Sequence, residues 1–189
     1  KPPFKNVYMH GMILDYQGLK MSKSLGNIIS PYEVIDKYGS DVLRYYMCEN
    51  AAGETFNFNW ENVKVKQRNI TVLYNLSNLL VQMAEELGVN PSKLRISNKN
   101  LSIEEHYMFS VLNSKLKKIT YLFDQYQIDE VITEVEDLFL ELSRGYVKFV
   151  RDKSSVGSLQ ERKLVVAVLF EVLFIVLRVF STIAPFVCE

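Results

Sequence analysis

The run from Leu164 to Phe180 is almost wholly apolar, and it constrains the fold more than any other stretch of the chain. It carries two charges, Glu171 and Arg178, whose separation of seven residues puts them on one face of a helix. A membrane-spanning helix rarely carries both. The run therefore predicts a bundle helix buried on most sides, with one polar stripe.

Such a helix needs partners, and the sequence supplies them. From Trp60 onward apolar residues recur at spacings of three and four, predicting helices over about 60–88, 102–127, 128–152 and 158–184. Gly88-Val89-Asn90-Pro91 stops the first, and Ser154 to Ser158 breaks before the last. Four amphipathic helices with mostly short connections argue for an antiparallel bundle. The polar stretch from Ser92 to Asn100 reads as a flexible surface loop, and no internal repeat is present.

The first 59 residues have a different character. Asn6 to Leu14 alternates Val7, Met9, Gly11 and Ile13 against Tyr8, His10, Met12 and Leu14, predicting a sheet strand covered on both faces, with His10 as a packed or hydrogen-bonded core residue. Asp15-Tyr16-Gln17-Gly18 supplies a turn. Ser30-Pro31-Tyr32-Glu33 has the form of a capping box with Pro at the first helical position, opening a short helix that Gly39 closes. Ser40 is placed to cap a second helix from Asp41 to Asn50, with Asp41 in its first turn. Ala51 to Asn59 reads as an irregular link. The whole is mainly α, in two parts divided at 59/60.

Between the strand and the helices lies Lys20-Met21-Ser22-Lys23-Ser24-Leu25-Gly26-Asn27. Two ammonium groups three residues apart, each beside a small hydroxyl residue and followed by Gly-Asn, make a short cationic loop suited to polyphosphate. Lysine is a compact point charge on a flexible stem, able to follow phosphate charge as it redistributes during a reaction. Hung from the end of a core strand, the loop is expected to be mobile.

Composition excludes several classes. Lys plus Arg and Asp plus Glu are each 22, so the net charge is zero and any nucleic-acid contact must come from local patches. Cys48 and Cys188 lie far apart without a Cys or His pattern, predicting no metal site and no disulfide framework but two buried thiols of a reducing compartment. No apolar secretory segment follows Lys1-Pro2-Pro3. With the lysine loop so near a start that is not Met, the chain is expected to be a piece of a longer protein.

The octapeptide resembles the signature loop of class I aminoacyl-tRNA synthetases. The resemblance continues through Ser30-Pro31, Glu33-Val34-Ile35 and Lys37-Tyr38-Gly39-Ser40-Asp41-Val42-Leu43-Arg44, which are similar to the isoleucine, valine and leucine subgroup. Phe56-Asn57-Phe58-Asn59-Trp60-Glu61, Leu142-Ser143-Arg144, Tyr146-Val147 and Val150-Arg151-Asp152 are most similar to the archaeal and eukaryotic isoleucine branch, and Ala184-Pro185-Phe186 resembles the end of the bundle in the whole subgroup. The resemblance implies that residues 1–59 are the C-terminal end of a Rossmann-like catalytic domain and 60–189 a helical-bundle anticodon-binding domain. It also implies an ATP-dependent ligase, with Mg²⁺, acting on tRNA in the cytoplasm, with the remainder of the parent chain as a partner and no membrane.

Within that family Lys20 and Lys23 hold the polyphosphate as the α-phosphorus is attacked. Met21 supplies backbone and packing near the adenine, Ser22 and Ser24 offer hydroxyl and N–H donors, Gly26 permits the turn, and Asn27 fixes the loop by side-chain hydrogen bonds. The family's His-x-Gly-His signature is absent, since His10-Gly11 is followed by Met12, so this chain alone is expected to be inactive. Candidate tRNA-facing residues are Lys64, Lys66 and Arg68 on the first long helix, Lys115, Lys117 and Lys118 on the second, and Arg144, Lys148, Arg151 and Lys153 on the third. Gly145 stands where the family often has an aromatic, which weakens stacking there and costs the helix ~1 kcal/mol relative to Ala. The alternatives are a valine or leucine enzyme, a non-catalytic tRNA-binding relative, and a nucleotidyl transferase sharing the nucleotide fold; the long helices after the loop count against the last.

Overall fold

A computed structural model describes residues 2–50, 53–97 and 100–189. The helix at its centre is α8 (Leu159–Phe180), opened by a capping box in which Ser158 Oγ accepts from Glu161 N and Glu161 Oε2 accepts from Ser158 N at 2.8 Å. Val165, Val166, Ala167, Val168, Leu169, Val172, Leu173, Val176 and Phe180 are all buried. Glu171, Phe174 and Arg178 stay exposed, with the Arg178 guanidinium over the Phe174 ring at 5.6 Å, so the predicted polar stripe is the solvent face. Among the described residues no helix is long and apolar enough to cross a membrane.

Around α8 pack α3 (Trp60–Glu86), α4 (Ile103–Asp124) and α5 (Ile128–Glu141). The third predicted helix is not continuous. It runs as α5, then a π-helical turn Leu142–Tyr146, then the short α6 (Val147–Phe149) and α7 (Arg151–Ser155). The π turn falls on Gly145: a Cβ there would lie 2.0 Å from Glu141 Oε1, and that carboxylate oxygen accepts from Tyr107 Oη at 3.0 Å. Instead of continuing to 184, α8 ends at Phe180, and a turn over 181–183 leads to α9 (Pro185–Cys188), which opens on its proline. The segment read as a loop contains a 3₁₀ turn, Pro91–Lys93, which packs on α8, and Ile96 leans on the core; Asn98 and Lys99 lie outside the described residues.

The N-terminal part also departs from expectation. Only Ile13–Leu14 (β1) is strand, paired parallel with Phe56–Asn57 (β2) in the register Ile13 to Phe56 and Leu14 to Asn57. The link expected to be irregular thus carries a strand, while Ala51 and Ala52 lie outside the described residues. With a partner strand only two residues long, Val7 (70%) and Met9 (72%) are solvent-exposed, as is His10, whose Nδ1 sits 2.9 Å from the Gly11 carbonyl. The expected buried strand and core histidine are therefore absent.

Helices α1 (Pro31–Tyr38) and α2 (Ser40–Glu49) form as expected, with corrected caps. Ser30 Oγ accepts from Tyr32 N, and Glu33 pairs with Lys37 at 2.8 Å instead of completing a box. Gly39, at φ 90°, ends α1 and caps α2, so Ser40 lies inside the second helix. Asp41 is buried, paired with Arg44 and accepting from Val187 N of α9 at 2.6 Å. Beneath the lysine loop Val34, Val42, Tyr46, Phe58 and Val63 form a small core, with Tyr46, Phe58 and Trp60 in edge-to-face contact. Cys48 and Cys188 are half-buried free thiols, and burial pushes the Cys188 pKa up to about 11.

Tyr45 joins this part to the bundle, its ring edge-on to Phe180 at 5.1 Å. Beside it Lys66, 3% exposed, donates to Glu49 at 2.5 Å and Glu136 at 2.7 Å, with its ammonium 4.7 Å from the Tyr45 ring centroid; Tyr45 Oη also donates to Glu136. Lys66 is thus an internal ion-pair residue, not a tRNA contact. Removing one partner of a buried pair costs roughly 3–5 kcal/mol. Because Glu49 and Glu136 keep some solvent access, Lys66→Ala is expected near the lower end, ~3 kcal/mol in denaturant unfolding, whereas Arg68→Ala should leave stability unchanged.

Candidate functional site

The lysine loop is fastened at both ends. After β1 the chain turns through Asp15 to Gly18, which has φ 81°, and Lys20 returns to pair antiparallel with Leu14. Asp15 is 3% exposed, and its two oxygens serve different segments. Oδ1 accepts from Gln17 N at 2.9 Å and Leu19 N at 2.8 Å; Oδ2 accepts from Asn27 Nδ2 at 2.8 Å. Asn27 Oδ1 in turn accepts from Ser22 N at 2.8 Å, and its Nδ2 also reaches the Lys20 carbonyl at 3.3 Å. Gly26, at φ 67°, makes the bend that brings Asn27 back.

Within this frame Lys20 and Lys23 are exposed, and among the described residues neither has a carboxylate partner. The Ser22 and Ser24 hydroxyls lie 2.7 Å apart. Met21 points the other way and packs against the small core. Lys20 and Met21 border a cavity of about 580 Å³ lined also by His10, Met12, Ile13, Met47, Asn50 and Phe56. An unpaired ammonium group at a largely apolar cavity, with a second three residues on along the same loop, can hold a polyanion whose other end is a flat, weakly polar ring. No cluster of metal-ligating side chains is found among the described residues.

The basic residues of the bundle divide by their partners. Lys66 is internal. Lys64 pairs with Glu61, Lys118 with the buried Glu134, and Lys115 with both Glu134 and Asp137 at 2.7 and 2.9 Å. Lys153 pairs with Glu104 and the fully buried Glu105; the Ser102 hydroxyl and this ammonium hold the Glu104 carboxyl down at about 2. Arg144, Lys148 and Arg151, by contrast, are exposed and without a carboxylate partner among the described residues, as are Arg68 and Lys117. Lys148 and Arg151 line a cavity of about 320 Å³ with Leu79, Met83, Ser143, Tyr146 and Leu169. The sequence marks Asp15 only as a turn residue; its second role has no local sequence signal, because the partner is 12 residues on.

Residues 1–59 match the family model for class I tRNA synthetases (I, L, M and V), and residues 105–189 match that for the anticodon-binding domain of tRNA ligase. Both ends of the chain are thus similar to parts of tRNA synthetases, the first to class I enzymes. Curated relatives called isoleucine–tRNA ligase include those of Methanopyrus kandleri, 33% identical over 99% of this chain, and Methanothrix thermoacetophila, 32% identical over 100%. The chain spans only 18% of the length of either. Two solved class I synthetases share its fold at a TM-score of 0.72. One is the Agrobacterium radiobacter LeuRS–tRNA–LeuAMS complex, at 19% identity over 95% of this chain and 21% of that one. The other is Mycobacterium tuberculosis methionyl-tRNA synthetase bound by methionyl-adenylate, at 16% over 92% of this chain and 35% of that one.

The hydrogen bonds from Asn27 and Leu19 hold the Asp15 carboxyl below the usual aspartate range. Its contribution is therefore complete above the ordinary aspartate pKa and is lost as pH falls through the depressed folded value. An NMR titration followed at the Leu19 amide should give a midpoint below that of an unperturbed aspartate; a midpoint at or above it would contradict the latch.

Proposed function

We propose that this chain is the ATP-loop and tRNA-binding portion of an isoleucine-specific tRNA ligase, with residues 1–59 closing the Rossmann-like catalytic domain and 60–189 forming an antiparallel anticodon-binding bundle. The observation that carries the reading is the pair of exposed, unpartnered ammonium groups, Lys20 and Lys23, on a loop latched beside a cavity. The isoleucine assignment is supported by the names of the curated relatives.

In the proposed reaction an isoleucine carboxylate oxygen attacks the α-phosphorus of ATP. The O–P bond forms as the bond to pyrophosphate breaks. Negative charge gathers on the departing pyrophosphate, where Lys23, with Lys20 behind it, stabilises it. Met21 backbone and side chain border the adenine end, while Ser22 and Ser24 supply hydroxyl and N–H donors along the phosphates. Mg²⁺ would neutralise further phosphate charge. A hydroxyl of the tRNA 3′ end then attacks the acyl carbon, the new ester bond forming as the bond to the adenylate breaks and AMP and the hydroxyl proton leave, with Arg144, Lys148 and Arg151 gripping the tRNA backbone and Arg68, Lys64, Lys115 and Lys118 contributing weakly. The proposed setting is the cytoplasm, within the full synthetase, and the chain by itself is inactive.

Lys23→Ala in the full-length enzyme is expected to reduce isoleucine-dependent pyrophosphate exchange by roughly 100- to 1000-fold, with little change in stability because the side chain is exposed. Unchanged exchange would refute the loop assignment. For the bundle, fluorescence anisotropy with isoleucine, valine and leucine tRNA transcripts at two salt concentrations should show tighter binding only with the isoleucine anticodon. Replacing Arg144, Lys148 and Arg151 by Ala should flatten the salt dependence by about one unit of slope each. Equal, weak binding of all transcripts would refute the anticodon role.

A further inference from the structure

We propose that Asp15 is the positioning residue of the lysine loop, acting through the Asn27 amide to set the geometry in which Lys20 and Lys23 are presented. The inference rests on the loop assignment above. Asp15 touches no phosphate in this scheme; it works by dictating which way the Asn27 amide faces. Its Oδ2 can only accept, so Asn27 must offer it Nδ2, and Asn27 Oδ1 is then left to accept from Ser22 N. The same amide nitrogen lies 3.3 Å from the Lys20 carbonyl. One carboxylate thereby fixes the backbone at both Lys20 and Ser22, the residues flanking Met21. Its other oxygen, on Gln17 N and Leu19 N, independently holds the preceding turn.

This division of labour makes an isosteric variant informative. In Asp15→Asn the amide oxygen can keep the two turn bonds, but the nitrogen then faces Asn27 Nδ2, donor against donor. If Asn27 flips to accept, its nitrogen meets Ser22 N, again donor against donor. The turn survives and the latch does not. Adding Asn27→Asp reverses the polarity: residue 15 now donates, and the carboxylate at 27 accepts from both sides. At the Lys20 carbonyl the donor is replaced by a carboxylate oxygen, acceptor against acceptor, so the rescue is partial.

The test uses the full-length synthetase bearing this segment, with pyrophosphate exchange and hydrogen–deuterium exchange of the peptide spanning 19–27 as readouts. Asp15→Asn is expected to lower kcat roughly 10- to 100-fold, the scale of a misplacement of about 1 Å, with the KM for isoleucine unchanged and faster deuteration of the loop. The double variant Asp15→Asn/Asn27→Asp should regain roughly tenfold in kcat. Lys23→Ala is run alongside. Exchange lost in Lys23→Ala but retained in Asp15→Asn overturns the Asp15 assignment alone. A double variant no better than Asp15→Asn also overturns it, since a merely structural carboxylate would not be restored by reversed polarity. Exchange retained in Lys23→Ala overturns the loop reading on which the proposal stands.

Discussion

A lysine with 3% of its surface exposed must bring its counter-charges with it, and the way Lys66 does so holds the two parts of this chain together. Its carboxylates come from α2 and α5, while the Tyr45 ring beneath it comes from α2 and reaches on to Phe180 of α8. Three helices meet at one ammonium group, and the Tyr45 ring ties in a fourth. The apolar contacts around Tyr45 supply area, but the ion pairs supply a unique register, because sliding α2 by one residue would strand a buried charge.

The first turn of α3 lies on the loop side of that joint. Val63 belongs to the small core with Val34, Val42, Tyr46 and Phe58, while Leu73 and Leu76 of the same helix belong to the bundle. A single long helix therefore spans both cores. The Asp41–Arg44 pair repeats the theme at the other end, where α2 receives Val187 N and Arg44 donates to the Ile183 carbonyl at 3.2 Å.

Features written into local periodicity were legible in the sequence. The buried α8, the breaks at Gly88–Pro91 and before Ser158, and Gly39 as a helix terminator follow from spacing, capping and the left-handed tolerance of glycine. Features that depend on distant partners were not. The β1–β2 pair is two residues long and joins segments far apart in the chain. Lys66 looks like any helix-surface lysine until Glu49 and Glu136, 17 and 70 residues away, are placed beside it. The lysine loop was legible as a motif, and Asn27 as its fastener; Asp15 was not, because one of its oxygens satisfies the turn that already seemed to explain it. Among the basic residues, sequence offered charge but not pairing, and pairing is what separates Arg144, Lys148 and Arg151 from Lys115 and Lys118.

The π turn at Leu142–Tyr146 has a bearing on phase. In an uninterrupted α-helix a residue added or removed rotates everything beyond it by about 100°. The wide turn absorbs one residue, so the residues just beyond it are set about 100° back from where a uniform helix would have carried them. The same rotation decides where Lys148 points, before the break at Val150 redirects the chain into α7. Excising one residue here would leave a smoother helix with Lys148 carried to another side of it, so the irregularity sets a direction as well as a shape.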